Sequence, residues 1–247
     1  MLTFREYCAR SSFCTDALTE GVDDPGILKC VFMAGGPGSG KSHVAGELFG
    51  VHPKLQTSFS AFGLKVISSD TIFERLLQQH GISPKILATL HHKPEAWAAA
   101  MAIRDRAKSL TTRRQTQYEL GRLGVILDGT GDDAAKILQQ KQHAETLGYD
   151  CLMVFVNTSL EVALARNAAR PRTLPENLVT VSWHEAQKAL ATYRTMFGAD
   201  SMLIIDNSTD GALSPTAVKS LRRWLAQPVK NPLGQTWIAA MGGRHRG

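Results

Sequence analysis

Hydrophobic positions cluster into five short runs along the chain. The first, ILKCVFMA from Ile27 to Ala34, is apolar, partly β-branched and closed by glycines, a pattern that predicts a buried parallel strand. LKVIS (64–68), GVILD (124–128), CLMVFV (151–156) and MLIID (202–206) predict four more strands. Between them the pattern turns helical. KSHVAGELF follows the first glycines, and the longest helical stretch, Pro94 to Arg122, opens on a favourable proline and carries Trp97, Met101, Leu110 and Tyr118 among many charges. Strands alternating with helices predict a βαβ series and a parallel, doubly wound α/β sheet.

The periodic region is bounded by less patterned ends. Residues 1–26 read as a polar N-terminal extension closed by the turn signal DDPG. After a domain spanning 27–227, the tail 228–247 is rich in proline and glycine and ends on Arg244, His245 and Arg246, so it is either mobile or docked through Trp237 and Ile238. A chain of 247 residues is long enough for one large core. No apolar run reaches the roughly 18 residues of a membrane span, and the N-terminus lacks the apolar stretch of a secretory signal. A soluble, cytoplasmic protein is expected. Cys8, Cys14, Cys30 and Cys151 show no C-x-x-C spacing, so reduced thiols and no zinc are expected.

Charge adds a partner class. The formal net charge is +6 and the pI about 9.3, which favours an anionic partner, part of which nucleotide phosphates alone would satisfy. The 94–122 helix carries Arg104, Arg106, Lys108, Arg113, Arg114 and Arg122 against Glu95, Asp105 and Glu119. Such an excess is either a solvated face or a contact for a nucleic-acid backbone.

GGPGSGKS, residues 35–42, satisfies G-x-x-x-x-G-K-[ST] and lies between a predicted strand and a predicted helix. In such a loop Gly36, Pro37, Gly38, Ser39 and Gly40 turn backbone N–H groups around a triphosphate, and the helix N-terminus adds partial positive charge. Lys41 would then reach the β- and γ-phosphates, and the Ser42 hydroxyl would hold Mg²⁺.

The other strand ends supply candidates for the acceptor half. In VISSDTIFE, Thr71 and Glu74 have capping-box spacing, which leaves Asp70 free to orient or deprotonate an acceptor hydroxyl; alternatively Asp70 is itself the cap. In VILDGTGDD, Asp128 follows an apolar strand as a Mg²⁺-binding aspartate does, and Thr130 is a plausible acceptor contact, with Thr130, Gly131 or Asp132 as helix caps in the plainer reading. Gly129 stands where many motor ATPases carry a water-activating acid, which favours transfer to an acceptor other than water. Arg166 and Arg170 are spaced to share a helix face, and Pro171 would end that helix and release Arg172 into a loop. Arginines on such a lid would neutralise the transferring phosphoryl group and exclude water; the alternative is an ordinary basic surface. His91 and His92 read as exposed, and Trp183 as core.

GGPGSGKS, SSDTIF, LDGT and RNAARPR together resemble the P-loop kinase group that includes phage polynucleotide 5′-kinases and zeta-toxin kinases, over roughly residues 27–210. The order of these motifs is similar to that in phage-encoded kinases acting on 5-hydroxymethyluracil within DNA. The resemblance implies a five-stranded parallel sheet of order 2-3-1-4-5 with a small arginine-bearing lid, Asp70 as general base, and the Arg166 to Arg172 segment as lid arginines. It implies a kinase using ATP and Mg²⁺ on a DNA hydroxyl, either a 5-hydroxymethyl group or a 5′ end. A zeta-toxin-like kinase of a nucleotide sugar or other metabolite, and a nucleotide-switched DNA-binding protein without phosphotransfer, are the alternatives. The chain departs from the two-domain end-healing enzymes in lacking a D-x-D-x-T motif, and VHPKLQTSFSAFG (51–63) is an extra segment.

Overall fold

The computed structural model describes residues 22, 24, 26–51, 60, 62–83, 87–90, 92–170, 173–209, 211 and 213–242. Cys8, Cys14, His91, Pro171, Arg172, Arg244, His245, Arg246 and most of the 1–26 extension and the 51–63 segment lie outside them.

In chain order the elements are β1 (Lys29–Ala34), α1 (Lys41–Phe49), β2 (Lys65–Ile67), α2 (Ser69–Gln79), α3 (Leu87–Leu90), α4 (Pro94–Leu120), β3 (Val125–Asp128), α5 (Ala134–Thr146), β4 (Asp150–Asn157), α6 (Leu160–Ala168), α7 (Glu176–Phe197), β5 (Met202–Asp206), α8 (Pro215–Ala226) and α9 (Pro232–Gly242). The five strands form one parallel sheet in the order β2-β3-β1-β4-β5. All five predicted strands are present, and the order is the expected one.

Residue alternation along β1 sorts the core. Cys30, Phe32 and Ala34 face a cluster with Phe155, Tyr193 and Phe197, while Val31 and Met33 face the opposite cluster with Leu48, Phe49 and Trp224. Both faces of the sheet are therefore covered by helices. A third cluster joins Ile72, Phe73, Leu76 and Leu77 of α2 to Ala100, Ile103 and Ala107 of α4. Each large apolar side chain buried there stabilises by about 1.5–3 kcal/mol, which fixes α4 beside α2 despite its weak amphipathic pattern.

Several boundaries differ from those predicted. β2 ends at Ile67 and the chain turns at once, so extended Ser68 (φ −138°, ψ 122°) is the N-cap of α2. Thr71 is thus inside the helix and Asp70 is not the cap. Asp70 lies in the first turn, where the helix dipole favours a carboxylate. The cap of α5 is Asp133, whose side chain accepts a hydrogen bond from the Lys136 N–H at 2.9 Å, in place of Thr130, Gly131 or Asp132. α6 closes at Ala168 with Ala169 as its cap, before Pro171 is reached, so Arg170 sits beyond the helix and does not share a helical face with Arg166. α4 ends at Leu120, two residues short of Arg122.

The C-terminal segment docks, one of its two expected states. Trp237 and Ile238 of α9 pack against the cluster around Phe155 and Phe197. The Asp150 carboxylate accepts from the backbone N–H groups of Lys230 and Asn231, and also pairs with the buried Lys29 ammonium at 3.0 Å.

Candidate active site

The glycine loop joins β1 to α1 at the carboxyl edge of the sheet, where ligands of such folds bind. It is held tightly from outside. Gly38 has φ 79°, and a Cβ there would fall 2.2 Å from the Ala163 carbonyl oxygen of α6. Gly40 has φ 83°, and a Cβ there would fall 2.2 Å from Asn207 Nδ2. A side chain at either position would strain the backbone and force a neighbouring atom to move.

Asn207, directly after β5, is the loop's outer support. Its buried side chain donates from Nδ2 to the Ser39 carbonyl at 2.8 Å, and its own carbonyl accepts from Arg166 Nη1 at 2.7 Å. Arg166 is thereby half-buried beside the loop, whereas Arg170 is exposed. Trp183 of α7 is only partly buried: its indole N–H donates to the Thr158 carbonyl at 2.8 Å, and its backbone packs against Gly36.

Lys41 opens α1 and donates from Nζ to the Gly35 carbonyl at 2.5 Å. Burial lowers its pKa; Asp128 opposes that fall, Arg170 adds to it, and Asp70 and Asp132 oppose it. Four of these charges are candidates from the sequence, so the fold gathers Lys41, Asp70, Asp128 and Arg170 into one electrostatic neighbourhood. Asp128 ends β3 with its side chain open to the cleft, yet the protein around it raises the carboxyl above its usual range, against the pull of Lys41 and a hydrogen bond from Ser68.

Thr130 is exposed in the turn that follows β3. Its hydroxyl donates to Asp132 at 2.5 Å and its carbonyl accepts from the Gly35 N–H at 3.0 Å. It braces the loop. Asp132, which the sequence offered only as a cap, also accepts from Ser182 of α7.

Beside Lys41, Ser42 and Asp128 a cavity of about 300 Å³ opens between the sheet edge, α2 and α4. Val66, Ile67, Ile72 and Ile126 contribute apolar lining, and Ser68, Thr71, Glu74, Arg75, Thr111 and Arg114 supply polar groups. Asn207, Arg75 and Thr111 escaped the sequence reading. Asn207 had one signal, its position directly after an apolar strand; Arg75 and Thr111 had none, since a helix–helix packing places them.

A family model described as an AAA domain matches residues 30–194, the span from β1 through nearly all of α7. The chain belongs to this AAA domain family. A solved structure of a candidate kinase from Chloroflexus aurantiacus superposes on this AAA domain with a TM-score of 0.52 at 12% identity, covering 81% of this chain and 100% of that one. The PezAT chromosomal toxin–antitoxin system of Streptococcus pneumoniae gives 0.48 at 14% identity, covering 100% of this chain and 96% of that one. Deoxyadenosine kinase from M. mycoides, with dATP bound, gives 0.40 at 15% identity, covering 80% and 100%. No curated protein shows a significant match. At such identities the likeness conveys the fold alone.

The AAA domain's site suits Mg²⁺ held chiefly by phosphates and water. Ser42 is exposed in the first turn of α1 and Asp128 offers one carboxylate, while the described residues contain no cluster of three or more His, Cys, Asp or Glu able to hold a metal on their own. Among the described residues no helix is long and apolar enough to cross a membrane.

Proposed function

We propose that this protein is an ATP- and Mg²⁺-dependent kinase that transfers the γ-phosphate to a hydroxyl on DNA, either the 5-hydroxymethyl group of a modified pyrimidine, as in phage DNA, or a 5′-OH end. The observation that carries the reading is the 300 Å³ cavity adjoining Lys41 and Asp128, walled on one side by the basic helix α4 through Thr111 and Arg114. Its size suits one base or sugar, and the helix beside it exposes Arg106, Lys108 and Arg113 to a polyanion. A base within a duplex would have to leave the stack to enter.

In this scheme Gly36, Pro37, Gly38, Ser39 and Gly40 cradle the phosphates and Lys41 neutralises them. Ser42 and Asp128 hold Mg²⁺, which would supply charge neutralisation on the phosphates. Asp70 orients the acceptor hydroxyl and takes its proton on a carboxylate oxygen. Arg166 and Arg170 cover the transferring group, with Arg172 as a further lid candidate outside the described residues. Thr130 supports the loop and stands second to Asp70 and Asp128 as an acceptor contact.

The test is incubation with γ-labelled ATP and three DNAs: hydroxymethylated with blocked ends, unmodified with 5′-OH ends, and unmodified with blocked ends. Label in the first or second alone identifies the acceptor, and label in none defeats the DNA reading. Asp70→Asn should lower transfer by about 10²-fold or more. The cavity's compactness also favours a second reading, phosphorylation of a nucleotide sugar or other small metabolite, which predicts transfer without salt-sensitive DNA binding.

A further inference from the structure

Asp128, the carboxylate available to Mg²⁺ at the end of β3, is held from the neighbouring strand. β2 and β3 run parallel with Ile67 opposite Leu127, so the next residue of each, Ser68 and Asp128, leave the sheet side by side. Alternation turns both toward the face of Val66 and Ile126, and both line the cavity of about 300 Å³. Ser68 is buried, with extended backbone (φ −138°, ψ 122°), and its hydroxyl donates to the Asp128 carboxylate. It is also the N-cap of α2, where a serine oxygen ordinarily accepts from the first free N–H groups of the helix. Among the described residues its side chain makes no such capping bond. The hydroxyl faces Asp128 instead.

We infer that Ser68 is a positioning residue for the metal side of the site: its hydroxyl orients the Asp128 carboxylate toward nucleotide-bound Mg²⁺, and its backbone ties the start of α2, with Asp70 two residues on, to the same point. A carboxylate accepts several hydrogen bonds, so one donor orients it without exhausting it. The described residues offer no cluster of three or more His, Cys, Asp or Glu, so the protein's grip on the ion falls largely on this one carboxylate. If free to rotate, it would lose that freedom on binding the ion; the Ser68 bond removes it beforehand. Donors placed in this way behind a metal ligand typically alter metal affinity about 10–100-fold when removed. This deepens the kinase reading and rests on it only for Mg²⁺ arriving with the nucleotide, since the effect is measurable without any transfer.

Calorimetric titration of a non-hydrolysable ATP analogue, in EDTA and at graded Mg²⁺ concentrations, reads the contribution of the metal. Ser68→Ala should raise the Mg²⁺ concentration that gives half the enhancement of binding by about tenfold or more, while binding in EDTA matches the wild type. Ser68→Thr keeps the hydroxyl and should restore most of the difference. In an Asp128→Asn background Ser68→Ala should add nothing, because a residue that acts through Asp128 has no other route to the ion. Circular dichroism melts check that each variant is folded, and the EDTA titrations check that the glycine loop is intact. An unchanged Mg²⁺ midpoint in Ser68→Ala, an equal loss of binding in EDTA, or the full effect in the Asp128→Asn background overturns the inference. So does a Ser68→Thr protein as impaired as Ser68→Ala, or wild-type binding that is the same with and without Mg²⁺. Labelled-ATP assays keep the two ideas apart. Mg²⁺-linked binding that depends on Ser68 without transfer to any hydroxyl rejects the kinase reading alone, and transfer whose Mg²⁺ midpoint ignores Ser68 rejects the positioning role alone.

Discussion

Asn207 Nδ2 donates to the Ser39 carbonyl at 2.8 Å, across 168 residues of sequence, and so ties the end of β5 to the phosphate loop. The same residue's carbonyl receives Arg166 at 2.7 Å, which places this arginine and the loop on one support. Asn207→Ala leaves the buried Ser39 carbonyl without this donor, at a cost of about 1–3 kcal/mol. We expect a lower melting temperature and a several-fold weaker ATP affinity, read by thermal denaturation and nucleotide titration. Asn207→Asp should be worse for ATP, because it sets a carboxylate beside the loop and its bound phosphates.

Gly38→Ala tests the loop's geometry. At φ 79°, with the Ala163 carbonyl oxygen 2.2 Å from the added methyl, the loop must shift. Strain of this kind costs on the order of 1–3 kcal/mol, and ATP binding should fall at least tenfold. Gly129→Ala meets nothing within 4 Å at a backbone free of positive φ, so its melting temperature should match the wild type. Circular dichroism melts of the pair check both.

Asp128 sets a pH dependence whose sign follows from burial. Its folded-state pKa is raised, so the folded protein holds the proton over a range where the unfolded chain has lost it. Stability in the absence of metal and nucleotide should then fall as pH rises from the ordinary carboxylate value through the raised one, and level off above it. Asp128→Asn should flatten that part of the profile and raise the neutral-pH melting temperature, while lowering phosphate transfer by about 10²-fold or more. Melts from pH 3 to 8 in parallel with initial rates would show the exchange of stability for function.

The exposed basic face of α4 decides between DNA and a small metabolite. Arg106, Lys108 and Arg113 are solvent-exposed, and the Lys108–Asp105 pair at 3.7 Å is a surface contact of little weight. Replacing all three by Gln should reduce the log–log salt slope of DNA binding by about 2–3 and leave the fold intact. An unchanged slope would favour the metabolite reading.

The sequence by itself determined the sheet and the glycine loop between its first strand and first helix. Buried parallel strands need continuous apolar runs, and a phosphate loop needs its glycines and lysine adjacent in sequence, so both are written locally. The end of β3 marked Asp128 and the start of α2 marked Asp70 for the same reason. Local signals misplaced the caps of α2 and α5 and the end of α6, because where a helix begins depended on how abruptly the preceding strand or loop turned. Only the tertiary structure decided that Asn207 carries the loop, that Thr130 braces it, and that Arg75 and Arg114 share a cavity. Those relations join residues tens to more than a hundred positions apart through strand order and the packing of α2 on α4, and side-chain packing at that range leaves no periodic trace along the chain.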